Sequence, residues 1–304
     1  GKMIFIMNGR EYDLWLGKIT SWIPLEFKAG LIRIRGQVQL VLAATEPLKL
    51  YVSPINIDPE KPSMPISHPR IFSVYLAKAH GNYSTLGMAE DTSALNDGVI
   101  SEEVLLDQIE VYQDERETIF FDALSKNRRG LLVQVFESTD RVSHMFWRYF
   151  DPGLKERKDV PKRIREAVFE NYRRMDEFLG RLLPKLRKKD LLMIVSDHGF
   201  DRAAREFHLN SWLHEQGYLV LKDGCRRSGK WYADVDWSRS RAYGQGLNGL
   251  FINQSGREEQ GIVKPGTETE KLKEEIKTKL KDVMDPQTGD HPLAAVYTRE
   301  ELYR

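Results

Sequence analysis

The sequence predicts an α/β fold: a mainly parallel sheet flanked by helices, with a partly antiparallel insert near the N-terminus. Three observations carry this. Two short runs, LLVQVFE (131–137) and LLMIVS (191–196), are apolar and of strand length, as strands covered on both faces are. Long helical patterns over 101–127 and 161–187 alternate with them, and helices alternating with apolar strands argue for parallel pairing. The opening instead alternates partly at period two in RIRGQVQLVLAA (33–44), which suits pairing with LKLYV (48–52).

Taken in order, KMIFIM reads as a first strand that ends at Met7-Asn8-Gly9. The Pro-rich SPINIDPEKPSMPIS (53–67) reads as a loop. RIFSVYLAKAHG reads as a helix stopped at Gly81. Ser101 is a good N-cap, with Glu103, Val104 and Leu105 following. Beyond 196 the expected elements are a short helix near 209–216, strands at 218–221, 240–243 and 249–253, a charged helix over 268–283 and a last strand near AAVYT. The expected organisation is a β-rich insert or cap over 1–67 and an α/β metallohydrolase core over 68–304, incomplete at both ends.

Composition narrows the function classes. The 304 residues are 41% hydrophobic and 30% charged, with a formal net charge of +1. A nearly neutral chain has no global field for a phosphate backbone, so nucleic-acid binding is not expected. The cluster Lys185, Arg187, Lys188 and Lys189 reads as a solvated helix end. The single cysteine, Cys225, rules out an internal disulfide and a Cys-rich zinc knuckle and suits a reducing compartment. Any metal must therefore be held by His, Asp and Glu. No apolar run is long enough to span a bilayer.

Asp197 and His198 directly follow the run 191–196. In open α/β sheets ligands bind at the carboxyl ends of the strands, although an Asp there serves equally as a turn residue. Asp140 lies just past the run 131–137, with His144 four residues on. On a helix the two share one face and form a workable two-ligand arm for zinc; alone, the pair also reads as a capped surface helix. His208 precedes the short helix near 209–216, and His214 on that helix is left unassigned. Together, Asp140, His144, Asp197, His198 and His208 supply the donor types of a two-metal phosphoryl-transfer site. The aromatic run Met145, Phe146, Trp147, Tyr149 and Phe150 reads as core rather than a nucleobase pocket. Tyr243 and Asn248 sit among turn glycines without the spacing of a phosphate-binding loop.

The strings FESTDRVSHMFWRY, IVSDHGF and FHLNSWLHEQGYL resemble the metal-ligand motifs of the type I phosphodiesterase/nucleotide pyrophosphatase family, within the alkaline phosphatase superfamily. RAYGQGLNGLFINQSGREEQGIV (241–263) resembles a downstream segment of the same family. The resemblance runs from about residue 47 to the end of the chain. It implies an alkaline phosphatase-like fold and two divalent ions, zinc or alternatively manganese. Asp140, His144 and His208 would hold one ion, and Asp197 and His198 the other. It implies a small phosphorylated substrate, a nucleotide among the candidates.

The family's strand-end Asp and its Thr or Ser nucleophile have no match in the opening residues. The expectation is therefore of a fragment lacking an N-terminal portion, with ELYR also a cut end, and no catalytic nucleophile is assigned. The expected activity of the whole enzyme is hydrolysis of a phosphodiester or nucleotide pyrophosphate. The alternatives are a phosphomutase, phosphonate hydrolase or sulfatase of the same superfamily, or a non-catalytic metal-binding relative.

Overall fold

The computed structural model describes residues 2–7, 9–30, 32–153, 160–202 and 205–303, so Asn8 at the expected strand tip lies outside the described residues. The chain is mixed α/β and divides into two compact units, Gly1–Arg202 and Ala203–Arg304.

The first unit opens with antiparallel ribbons. Strands β1 (Lys2–Met7) and β2 (Arg10–Trp15) pair, as do β3 (Ile23–Ala29) and β4 (Ile32–Val38). Strands β5 (Leu40–Thr45) and β6 (Leu48–Val52) form the expected pair, and β7 (Asn56–Ile57) adds two residues to β4. The stretch read as one strand over 33–44 is two, broken at Gln39. Alternate side chains turn inward: Leu14, Ile23, Val38, Leu40 and Leu42 form one small core. Polar bonds tie this region to the long helix described next. Trp22 Nε1 donates to Glu115 at 2.8 Å, and the Tyr112 hydroxyl donates to Gln39 Oε1 at 2.8 Å.

Helices follow: α1 (Ile71–His80), α2 (Thr92–Asn96), α3 (Glu102–Lys126), α4 (Ser138–Phe150), α5 (Lys162–Arg165) and α6 (Ala167–Leu182). Their ends match their cap residues. Gly81 closes α1 at φ 90°, and Ser101 Oγ accepts from Val104 N at 3.3 Å at the start of α3. On α4 the inward face is Val142, Phe146 and Tyr149, spaced as one helical stripe. It packs into a core with Leu105 and Ile109 of α3 and Ile164 of α5. Phe146 and Tyr149 are thus core, as the aromatic run suggested.

The expected parallel sheet is where structure and expectation part. Among the described residues no strand is assigned over 131–137 or 191–196, and all strand-to-strand ladders are antiparallel. Among the described residues neither segment has a ladder partner. Leu132 and Phe136 turn inward onto Phe120, Phe178 and Leu182. Leu131, Val133 and Val135 face solvent, as do Leu191, Met193, Ile194 and Val195. Apolar content marks a segment as fit for burial in a sheet, but a strand also needs a neighbour's hydrogen-bonding edge.

The second unit holds α7 (Leu209–Glu215), β8 (Ala242–Gln245), β9 (Gly249–Ile252), α8 (Thr267–Lys281) and α9 (Arg299–Leu302). Its core joins Leu213, Tyr218, Val235, Ile252, Leu272 and Ile276. The strand expected at 218–221 reduces to one bridge, Leu221 to Val235, and no strand forms at AAVYT. Gly244 is fixed by close approach: a Cβ there would meet Leu209 Cδ2 at 2.9 Å. Tyr243 stacks on Phe251 with ring centres 5.5 Å apart, which gives it a packing role. No helix among the described residues is long and apolar enough to cross a membrane.

Candidate metal centre

Helix α4 begins directly after the apolar run 131–137, so its first turn presents Asp140 and, one turn on, His144. Asp140 Oδ1 lies 3.3 Å from His144 Nε2, the i, i+4 pairing expected for one helix face. The second apolar run, 191–196, leads to His198 at the same place: His198 Nε2 is 3.6 Å from Asp140 Oδ1. One ligand atom from each of Asp140, His144 and His198 falls within 4.8 Å of the others.

The spacing suits a divalent ion. Zinc bonds to N and O donors of about 2.1 Å, in a tetrahedral shell, separate the donors by about 3.4 Å. The two Asp140–imidazole separations bracket that value. His198 Nδ1 lies 3.1 Å from the Gly199 carbonyl oxygen. A proton on Nδ1 donating there leaves the Nε2 lone pair facing Asp140.

The remaining expected residues are placed differently. Asp197 Oδ2 is 3.6 Å from His198 Nε2, and its side chain is 88% exposed. His208 belongs to the second unit, where its Nε2 lies 3.8 Å from Glu206 Oε2. On α7, His214 Nδ1 lies 2.9 Å from the Leu219 carbonyl oxygen, a local bond that explains this histidine without a ligand role.

Two features escape a motif reading. Phe200 sets its ring edge-on beside both imidazoles, 4.9 Å from His144 and 5.3 Å from His198, and stacks on Trp147 at 5.9 Å. It thereby gives both imidazoles an apolar neighbour. Its position directly after His198-Gly199 was the available signal. The second is Arg141, whose Nη1 lies 3.7 Å from Asp140 Oδ2. No spacing rule singled it out. A pocket of about 430 Å³, lined by Leu95, Asn96, His144, Met145 and Arg148, opens beside the centre.

A carboxylate and two imidazoles on a mixed α/β scaffold define a candidate divalent-metal centre beside an open pocket. The model of the type I phosphodiesterase/nucleotide pyrophosphatase family matches residues 74–304, well over half of the chain, and the chain belongs to that family. The family hydrolyses phosphate esters of the phosphodiester and pyrophosphate type, is typically metal-dependent and acts on small phosphorylated substrates such as nucleotides. No curated protein and no solved structure matches the chain.

Proposed function

We propose that this chain carries the metal-binding part of a two-zinc hydrolase of phosphodiesters or nucleotide pyrophosphates. The observation that carries the reading is Asp140, His144 and His198 meeting with the donor types and spacing of a divalent-ion site. Asp140 and His144 would contribute to one ion and Asp197 to the other, with His198 reaching the Asp140 carboxylate between them. The ions would neutralise charge on the phosphoryl group and lower the pKa of the attacking hydroxyl. This chain's residues orient the ions, and Phe200 keeps water from one side of the imidazoles.

The attacking Thr or Ser hydroxyl, on this reading, comes from outside these 304 residues. The segments 131–137 and 191–196 support that view, because both are apolar, exposed and without a ladder partner among the described residues. With neighbouring strands the two runs would enter the parallel sheet typical of α/β enzymes. The segment 1–67 then serves as an insert beside that sheet.

A second reading has its own observation. The three clustered ligands cut across the two expected sets, and a single ion held by Asp140, His144 and His198 uses all of them. A one-metal site of that kind suits the sulfatase-like alternative.

Release of nitrophenolate from bis- and mono-nitrophenyl phosphate, with zinc present, tests the activity. This chain alone should be slow, because a misplaced attacking group costs on the order of 100-fold per ångström. A chain extended upstream should turn over the diester, and lose that activity in Asp197→Ala or His144→Ala. No activity of the extended chain on either ester would sink the hydrolase reading.

A further inference from the structure

A chain of charged side chains runs behind the ligand face of α4. Glu90, just before α2, has a fully buried side chain and accepts from Arg116 Nη1 of α3 at 3.1 Å. Arg116 Nη2 also reaches Glu137 Oε2 at 2.5 Å, at the residue that leads into α4. Arg141, the fourth residue of that helix, completes the chain: its Nε is 3.7 Å from Glu90 Oε2 and its Nη1 is 3.7 Å from Asp140 Oδ2. Both guanidinium side chains are only 16% exposed.

Two atoms of this chain are costly. Glu90 Oε2 and Arg141 Nε are buried and lack a hydrogen-bond partner among the described residues, and buried charge without full hydrogen bonding is expensive. A fold that needed only packing here would be served by apolar residues of similar volume. The arrangement has a consequence at Asp140, whose two oxygens face different partners. Oδ2 faces Arg141, while Oδ1 faces His144 and His198. That division is what a carboxylate giving one oxygen to an ion needs: one oxygen facing a cationic side chain at ion-pair distance, the other presented. Outer partners of this kind orient metal ligands in general.

We propose that Arg141, anchored by the buried Glu90, is the positioning residue for Asp140, setting its carboxylate so that Oδ1 joins the two imidazoles as a donor. The inference rests on the metal-centre reading above. Coulomb repulsion alone works against it, since a guanidinium near a cation weakens cation binding. The two effects therefore predict opposite signs.

The test uses the full chain, with zinc affinity from competition against a chromophoric chelator, cobalt(II) absorption as a report of ligand geometry, and melting of the metal-free protein as the control. Glu90→Gln and Arg141→Gln should weaken zinc binding about 10- to 100-fold, the range for lost outer partners. Both should also lower the visible absorption of the cobalt form. Arg141→Lys, which keeps the charge but loses the fork, should fall between these variants and the wild type. Zinc affinity unchanged within about twofold despite a lowered melting temperature would make the chain merely structural and overturn the proposal. Tighter binding in Arg141→Gln would overturn it in favour of simple repulsion. If Arg141→Gln does not fold, Arg141→Lys and Glu90→Gln decide the matter by the same criteria. A wild-type chain that binds no zinc would overturn the metal-centre reading itself, whereas wild-type binding matched by every variant overturns only this inference.

Discussion

His198 Nε2 lies 3.6 Å from Asp140 Oδ1, although helices α5 and α6 separate the two residues along the chain. Each residue closely follows an apolar run, so the meeting of the two side chains reports that the ends of those runs lie close together. The centre is thus a property of the fold rather than of one loop.

That dependence makes Phe146 a remote control on the site. It is fully buried on the opposite face of α4 from Asp140 and His144. Phe146→Ala should destabilise the first unit by about 3–5 kcal/mol, read as a lower urea midpoint. An unchanged midpoint would show that α4 is not seated by this ring.

The cap of α3 should be worth less. Ser101→Ala removes the Oγ acceptor for Val104 N and should cost about 1 kcal/mol, with zinc affinity unaltered. A loss several times larger would mean that Ser101 has another partner.

Stability should depend on pH through Glu115. Burial pushes its carboxyl up to about 7 from an ordinary 4.5, against the opposing effect of bonds from the Ser84 amide and the Trp22 indole. The folded state therefore holds this proton more tightly than the unfolded state. The contribution is fully present below about 4.5 and is lost as pH rises towards about 7. Urea midpoints at pH 5 and pH 8 should fall further for the wild type than for Glu115→Gln. Equal falls would remove Glu115 as the cause.

The unpaired runs should show themselves in solution. Val133 and Ile194 are each 70% exposed on segments without a ladder partner, and open apolar edges invite pairing with another chain. The chain should bind a hydrophobic dye and associate as concentration rises. Val133→Lys combined with Ile194→Lys should reduce both. A wild-type chain that stays monomeric and dye-free at high concentration would contradict the exposure of these runs.

Much of the helical structure was legible because its signals are local. Gly81 and Ser101 mark helix ends by backbone and cap chemistry, and the spacing of Asp140 and His144 predicts a shared face. Strands β2 and β3 were harder: REYDLW and IPLEFKA carry charges that mask the alternation of Tyr12 with Leu14 and of Ile23 with Leu25. The runs 131–137 and 191–196 announce burial but not a partner, and pairing is a property of two segments. The site was legible to the same extent. The types and positions of Asp140, His144 and His198 are in the motifs, but the link from Glu90 through Arg141 to Asp140 exists only once α2, α3 and α4 have packed.

The most direct test of the account is calorimetric titration of the metal-free chain with zinc, repeated with Asp140→Asn, whose circular dichroism should match the wild type. One ion should bind clearly more tightly than any second, and Asp140→Asn should lose that tight step. Tight binding that survives Asp140→Asn would contradict this.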